Sequence, residues 1–505
     1  MPKFKGEGAF LPFLELDRTA SEPLARQLDR HLRAAILTGR LAVGQRLPAT
    51  RALSKELGVS RSTVVTAFAQ LAEEGYLESR VGSGSYVALA RALSVNEPHR
   101  AEPSNSAPQL SRRGQTAVAG YPLGGIDASP NRPFTPNIPD FDLFPQRTWN
   151  RLTNRVQRSL TQQLMNYGDA AGFRPLRRAA ARYLSDSRGV ACEAEQVIVT
   201  SGTQRAFNLV PMLLLEAGDR VIVEDPGGQT AHQALRAQGC RLVPVPVDRS
   251  GLQVRRAVAA APDARLAYVT PSCQYPLGVT LSVSRRLELL DWATERNAWI
   301  LEDDEDSEFR FIGRPVPAMQ GLDRAGRVVY AWSFSEVLFP ALRLGLLVLP
   351  PGLVEPFAFA NGVLDRGPPT LPQAVLCEFI NDGYLASHVR RMRAIYAARR
   401  HALVAALEAE LGGLVQVDPV ASGLRVILRL PPGCDDRAAV RAAAAQGITC
   451  FALSPYGQAP DQAPGLLLGF AGTPESQMAA GVRQLAAALV PLIGKKRDAP
   501  CAAGV

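Results

Sequence analysis

The chain has five lysines, Lys3, Lys5, Lys55, Lys495 and Lys496, so none lies between positions 55 and 495. A Schiff base with a carbonyl compound needs a positioned amine of lowered pKa, and arginine does not substitute because its guanidinium stays protonated. Whatever chemistry that interval supports, it proceeds without an internal aldimine. Within it, Ser201-Gly202-Thr203-Gln204 follows an apolar β-like run and opens a helix, where amides and hydroxyls can cradle a phosphate at the positive helix end. The run Glu302 to Glu308 is strongly acidic, and a charge run by itself reads as a solvated face. Near the N-terminus, Ser60-Arg61-Ser62-Thr63 opens another helix with the short polar and arginine side chains that reach phosphates and base edges in a major groove. Arg51 begins the preceding helix where a backbone phosphate would run, and Arg80 and Gly82 lie at a hairpin tip suited to the minor groove. On arginine placement alone, an ordinary three-helix surface fits as well as a DNA-reading face.

The elements that must carry these residues are legible in the periodicity. Leu24, Leu28, Leu32 and Ile36 repeat at helical spacing, and a second helix is expected from near Pro48 to Gly58. A third follows Ser60 as N-cap, with Val64, Val65, Phe68 and Leu71 on its inner face and Gly75 as its stop. Residues 76–80 and 85–87 read as short strands joined by Val81-Gly82-Ser83-Gly84. From 91 to 133 Pro, Ser, Asn, Gly and Arg dominate, so a semi-extended linker is expected. Apolar runs at 197–199, 220–223, 266–269, 299–301, 328–330 and 346–348 then alternate with helical stretches, the pattern of a mainly parallel α/β sheet. A smaller α/β lobe with two or three strands is expected over 385–492. The resulting domains are 1–90, a linker 91–133, 134–493, and a disordered tail 494–505.

The length of 505 residues suggests roughly two to four domains. Apolar content of 47% with 20% charged residues is that of a soluble globular protein, with no apolar run of membrane-spanning length. The N-terminus carries Glu7, Glu15 and Asp17 and makes a poor signal peptide, so a cytoplasmic location is expected. Seven scattered cysteines without a C-x-x-C pair and five scattered histidines argue for reduced thiols and no metal site. The net charge of +9 permits a polyanionic partner without demanding one; all but five of the 56 basic residues are arginine, part of which is compositional bias.

Residues 24–88, with L-P-A-T-R-A-L, L-G-V-S-R-S-T and G-S-G-S-Y-V, resemble a GntR-family winged helix. The stretches YGDAAGFRPLRRAAARYL, VIVTSGTQRAFNLV, YVTPSCQYPLGVTLS, ILEDDEDSEFRF and AWSFSEVLFPALRLG resemble fold-type I aminotransferases, and the two in this order resemble the MocR/GabR group of regulators. The resemblance implies that Arg51, Ser60, Arg61, Ser62, Thr63 and Gly82 meet operator DNA, and Arg80 joins them as a candidate by its place at the hairpin tip. It implies a head-to-tail homodimer. It also implies a cofactor-type site whose phosphate end is Ser201, Gly202, Thr203, Gln204, Ser333, Ser335 and Arg343, with Tyr167 reaching in from a second subunit and Asp303 facing a pyridine nitrogen.

The ring end departs from the pattern. Glu336 stands at the Schiff-base lysine, Glu305 at a tyrosine, Gly228-Gln229 at the stacking aromatic and Cys273 at a histidine. Leu467 stands where transaminases place a carboxylate-gripping arginine. Added carboxylates beside Asp303 would repel a phosphorylated cofactor or raise one another's pKa values. The expectation is therefore a DNA-binding regulator with no catalytic residues and no cofactor, pyridoxal phosphate being held at most non-covalently. The small-molecule effector is unknown. A cationic ligand of the carboxylates and a filled-in cluster bonded to arginine and backbone both fit, and no membrane contact is expected. An active transaminase and a protein that has lost DNA binding are the disfavoured alternatives.

Overall fold

A computed structural model describes residues 14–80, 83–88, 110–119, 132–313, 316–458 and 462–494. The chain divides into two units, Met1–Gln109 and Leu110–Val505. Gly82 and the 495–505 part of the expected tail lie outside the described residues.

In the first unit, α1 (Leu24–Leu37), α2 (Thr50–Leu57) and α3 (Arg61–Glu73) precede an antiparallel hairpin of β1 (Leu77–Arg80) and β2 (Gly84–Val87). Gly58 ends α2 at φ +61°, the left-handed conformation that favours glycine. Ser60 caps α3 by accepting from the Thr63 amide at 3.1 Å. Leu28, Leu32, Leu53, Val64, Phe68, Leu71 and Leu77 close one core. Val65, expected inside, is 44% exposed: Val64, Phe68 and Leu71 already define the inner stripe, and position 65 lies about 100° around the helix from 64. Residues 44–47 also bond to β2, through Gly44 N to Val87 O and Leu47 N to Ser85 O, a pairing their turn-like sequence does not announce.

The second unit opens with α4 (Arg112–Val118), a helix inside the interval expected to be an extended linker. Ser111 caps it, and the domain boundaries shift accordingly: residues 110–119 belong with the large unit. Next come α5 (Gln146–Arg158), α6 (Gln162–Met165), α7 (Arg174–Arg188), β3 (Val197–Thr200), α8 (Thr203–Leu214), β4 (Arg220–Asp225) and α9 (Gln229–Ala237). Arg113 of α4 donates to Ala237 O and to the Gln238 side chain, and Gln233 of α9 donates to Thr116 O and Ala117 O. The short helix is thus docked on α9.

The remaining strands are β5 (Arg241–Asp248), β6 (Gly251–Leu252), β7 (Leu266–Val269), β8 (Trp299–Asp303), β9 (Val328–Ser333) and β10 (Gly345–Val348), followed by β11 (Gln416–Val417), β12 (Arg425–Arg429), β13 (Phe451–Ala452) and β14 (Gly465–Gly469). The large sheet runs β3-β10-β9-β8-β7-β4-β5-β6, parallel from β9 through β5, with β10 antiparallel between β3 and β9. All six expected apolar runs are strands of this sheet. β5 carries Pro244 and Pro246, which weaken its reading as a strand, and it lies next to the edge hairpin β6, where proline is tolerated. The smaller lobe has a four-stranded antiparallel sheet, β11-β12-β14-β13, two of whose strands are only two residues long. The helices Tyr384–Leu411 and Glu475–Gly494 accompany it. No described helix is long and apolar enough to cross a membrane.

Candidate functional site

The first site is the start of α3. Ser60, Arg61 and Ser62 are exposed and Thr63 is half-buried. The Ser60 hydroxyl lies 2.7 Å from that of Ser62 and 2.8 Å from that of Thr63, so three hydroxyls cluster at the positive end of the helix beside an exposed guanidinium. Arg51 is exposed on the first turn of α2. Arg80 is held at the hairpin: its guanidinium stacks on Tyr86 at 4.7 Å and approaches Glu78 at 3.6 Å.

The second site gathers at the carboxyl ends of β3, β9 and β8. Register places Thr200 opposite Gly345, Gly345 opposite Ser333, and Asp303 opposite Ala331. With neighbouring strands about 4.8 Å apart, Thr200 and Ser333 lie roughly 10 Å apart. β3 passes through Ser201 to Gly202, which starts α8 at φ +86° with no side-chain cap. Gly345 must be glycine, since a Cβ there would lie 2.9 Å from Gly202 backbone. Arg343, itself left-handed at φ +51°, donates to Ser201 O at 2.9 Å. Ser201, Gly202, Thr203, Gln204 and Arg343 therefore come together at the start of α8, where helix amides and a guanidinium are the groups an anion would require.

Ser333 and Ser335 are turned to another task. The Ser333 hydroxyl donates to Glu336 Oε2 at 2.8 Å and accepts from the Ser335 amide at 3.2 Å. Asp303 Oδ2 accepts from the Tyr268 hydroxyl at 2.9 Å. The acidic run is not a solvated face: Glu302, Asp303, Asp304, Asp306 and Glu308 are all buried, each with its own partners. Asp304 pairs with Arg188 (2.7 and 3.1 Å) and accepts from Tyr330 at 2.6 Å. Glu302 accepts from the Met319 and Gln320 amides, and Glu308 from the Trp332 indole. Tyr167 is 77% exposed with Arg366 over its ring, and it takes no part in the carboxylate cluster.

One residue of the cluster, Arg425, carried no motif. Arg425 on β12 is 1% exposed, pairs with Asp306 at 2.9 Å and Glu305 at 3.7 Å, and stacks on Tyr275 at 4.2 Å. An arginine inside the apolar run Leu424 to Leu428 is the signal that would have found it. Leu467 is fully buried against Tyr275, Ile427 and Leu453. The guanidinium on that face of the small sheet belongs instead to Arg425, two residues along from Ile427, the strand partner of Leu467.

The ring end does not fit pyridoxal phosphate held as an aldimine. Position 336 offers a carboxylate, and no lysine occurs from 56 to 494. Gly228 offers no ring to stack: a Cβ there would sit 3.3 Å from the Tyr268 hydroxyl, and Gln229 is tied to Pro455 O at 2.8 Å. Cys273 is buried, and burial pushes its thiol up to about 12. Among the described residues no group of three or more His, Cys, Asp or Glu side chains could hold a metal ion. An apolar cavity of about 300 Å³ between α5, residues 339–342 and Leu371–Val375 contains none of the carboxylates.

Burial lifts Asp303 and Glu336 to about 7, each helped by another carboxylate, Glu336 for the first and Asp306 for the second. Burial also raises Asp306 and pushes Glu305 well up, against the pull of Arg425. For Asp304 burial opposes ionisation, but the Arg188 charge and hydrogen bonds win and its pKa is lowered. Glu224, Glu302 and Glu308 are likewise lifted to about 7, chiefly by burial. Since these carboxyls titrate near 4 when unfolded, the folded chain holds extra protons between about pH 4 and 7 and loses stability as pH rises through 7. His232 and His388, pushed down to about 4 by burial, act oppositely but complete their effect by about pH 6.5. The thermal midpoint is therefore expected to fall by several degrees from pH 6.5 to pH 8. The fall should be smaller in Glu336→Gln, and a midpoint flat over that range in the unchanged protein would contradict the raised values.

Residues 135–485 match the aminotransferase class I and II family, and residues 24–87 match the gntR family of bacterial regulatory proteins. The chain is 42% identical to a probable rhizopine catabolism regulatory protein, MocR, of Rhizobium meliloti, over 95% of this chain and 96% of that one. It is 31% identical to the HTH-type pyridoxine biosynthesis transcriptional regulator PdxR of Corynebacterium glutamicum, over 90% and 93%. Among solved structures, the kynurenine aminotransferase of Pyrococcus horikoshii superposes with a TM-score of 0.69 at 26% identity, covering 77% of this chain and 98% of the enzyme.

Proposed function

Because the chain belongs to the MocR-type regulators, a gntR-family winged helix joined to an aminotransferase class I and II domain, we propose that it regulates transcription by binding double-stranded operator DNA while its large domain senses an effector without aminotransferase catalysis. The observation that carries the DNA-binding part is the start of α3, a capped turn presenting three hydroxyls and the exposed Arg61. That turn has the polar groups and the dipole direction that a phosphate and a base edge require.

The large domain acts in this reading as dimer scaffold and effector sensor. Exposed Tyr167, Phe359 and Val363 offer apolar surface that a second copy would cover in a head-to-tail homodimer. Glu336 hydrogen-bonded to Ser333 supports catalytic inactivity, since the group at the reacting position is an acid rather than an amine. A second reading, pyridoxal phosphate bound non-covalently by its phosphate, is favoured by the assembled Gly202 and Arg343 end. Without an aldimine and a stacking ring, such binding would be weak.

Replacing Arg61 by alanine is expected to weaken specific operator binding by about 10- to 100-fold, or about 1–3 kcal/mol, and to leave dimerisation intact. Footprinting and sedimentation on the same preparation read both. An unchanged footprint would exclude Arg61 from readout.

A further inference from the structure

Residues 14–23 precede α1 and lie outside the segment 24–87 that matches the gntR family, so that match assigns them no role. They form a strap pinned to the winged helix. Leu14 is buried in its core, and the Gln27 side chain, 2% exposed, holds the turn that follows. Gln27 Oε1 accepts from the Asp17 amide at 2.8 Å, and its Nε2 donates to Asp17 O and Glu22 O, each at 2.8 Å. Asp17 Oδ1 accepts from the Thr19 amide at 2.8 Å and from the Thr19 hydroxyl at 2.6 Å. Arg18, exposed between these anchors, lays its guanidinium on the end of α2: Nη2 donates to Gly58 O at 2.8 Å and approaches Leu57 O at 3.4 Å. The last carbonyls of a helix lack partners within it, and a cation is favoured at that negative end.

Capping uses one nitrogen of a guanidinium that carries five N–H donors. Among the described residues, Nε and Nη1 of Arg18 have no hydrogen-bond partner, and no carboxylate pairs with the group. Their surroundings are those of the DNA-reading turn. Gly58 is two residues before Ser60, a span of at most roughly 7 Å, and Ser60 opens the hydroxyl cluster beside exposed Arg61. Lys55 is also exposed, on the last turn of α2. A free surface arginine loses rotamer freedom when it grips a phosphate, whereas this one is already held by the strap and the α2 carbonyls.

We propose that Arg18 contacts a backbone phosphate of double-stranded DNA beside the start of α3, which makes the strap part of the DNA-binding surface. The inference rests on the reading of α3 as the DNA-reading helix. A phosphate contact carries no base information; it fixes how α3 sits in the groove and adds affinity for any duplex. Arg18 and Arg61 therefore differ in kind, since loss of Arg61 falls on the preferred sequence.

The test is a salt titration of the full-length protein on a mixed-sequence duplex of about 40 bp, followed by anisotropy, with the thermal midpoint recorded for each variant. Arg18→Ala and Arg18→Gln should each weaken binding about 3- to 10-fold at about 0.15 M salt, and should lower the slope of log K against log salt by about one per winged helix. Arg18→Lys should keep the slope. Gln can still donate to the α2 carbonyls but carries no charge, so it separates the phosphate contact from the cap. If Arg18→Ala weakens binding with an unchanged slope and Arg18→Gln restores it, Arg18 is a cap alone and the proposal is wrong. Unchanged affinity and slope in both neutral variants would also overturn it, while the regulator reading stands on the unchanged protein's binding. Absence of salt-dependent duplex binding by the unchanged protein would sink that reading and this inference together.

Discussion

Incubation with excess pyridoxal phosphate followed by borohydride reduction is expected to leave residues 56–494 without an adduct. The only amines in the chain are the N-terminus and the five lysines at 3, 5, 55, 495 and 496, so background labelling is confined to the ends and to Lys55, exposed on the last turn of α2. Intact mass and peptide mapping therefore separate a specific aldimine from surface chemistry with little ambiguity. The change Glu336→Lys supplies the amine but leaves Glu305, Gly228 and the Tyr268 to Asp303 bond in place. That variant is expected to take up cofactor weakly, and full transaminase activity from it alone would overturn the assignment of the ring end. A reduced adduct inside 56–494 of the unchanged protein would do the same.

Replacing Arg188 by alanine should cost about 3–5 kcal/mol, the largest loss expected from a single truncation in the large domain. Both members of the Arg188 to Asp304 pair are buried, at side-chain exposures of 3% and 0%. Truncation would strand a carboxylate whose other partner is the Tyr330 hydroxyl, and the Ser272 hydroxyl would lose the Arg188 donor at 2.9 Å. The pair joins the end of α7 to the strand that carries Asp303, so the change should also loosen the acidic cluster. Urea unfolding measures the loss. Substituting both members by apolar residues of similar volume should recover much of it, because a removed pair leaves no unpaired charge.

The winged helix was readable almost residue by residue because local signals agree there: the Ser60 cap, the Gly58 stop and the Leu/Val periodicity all act within a few positions. The parallel strands were readable as buried apolar runs, whereas the antiparallel orientation of β10 depends on neighbours distant in sequence and leaves no local mark. In the site, Ser201 to Gln204, Asp303, Glu305, Glu336 and Arg343 were found through motif positions. The acidic run misled because burial and specific partners, not charge density, decide whether carboxylates face water. Arg425 and Tyr268 sit in strands that look ordinary until the small sheet and β8 bring them beside those carboxylates.

The docking of α4 on α9 sets a limit on reach. With Arg113 and Gln233 engaged, the chain leading to the winged helix departs from Leu110 and not from Arg132. The segment back to Ala88 then spans at most roughly 75 Å, about half of what a fully undocked connection would allow. In the proposed head-to-tail homodimer this short helix is a clamp on each winged helix's leash: half-sites farther apart than the shortened tether permits would become accessible only if the clamp lets go.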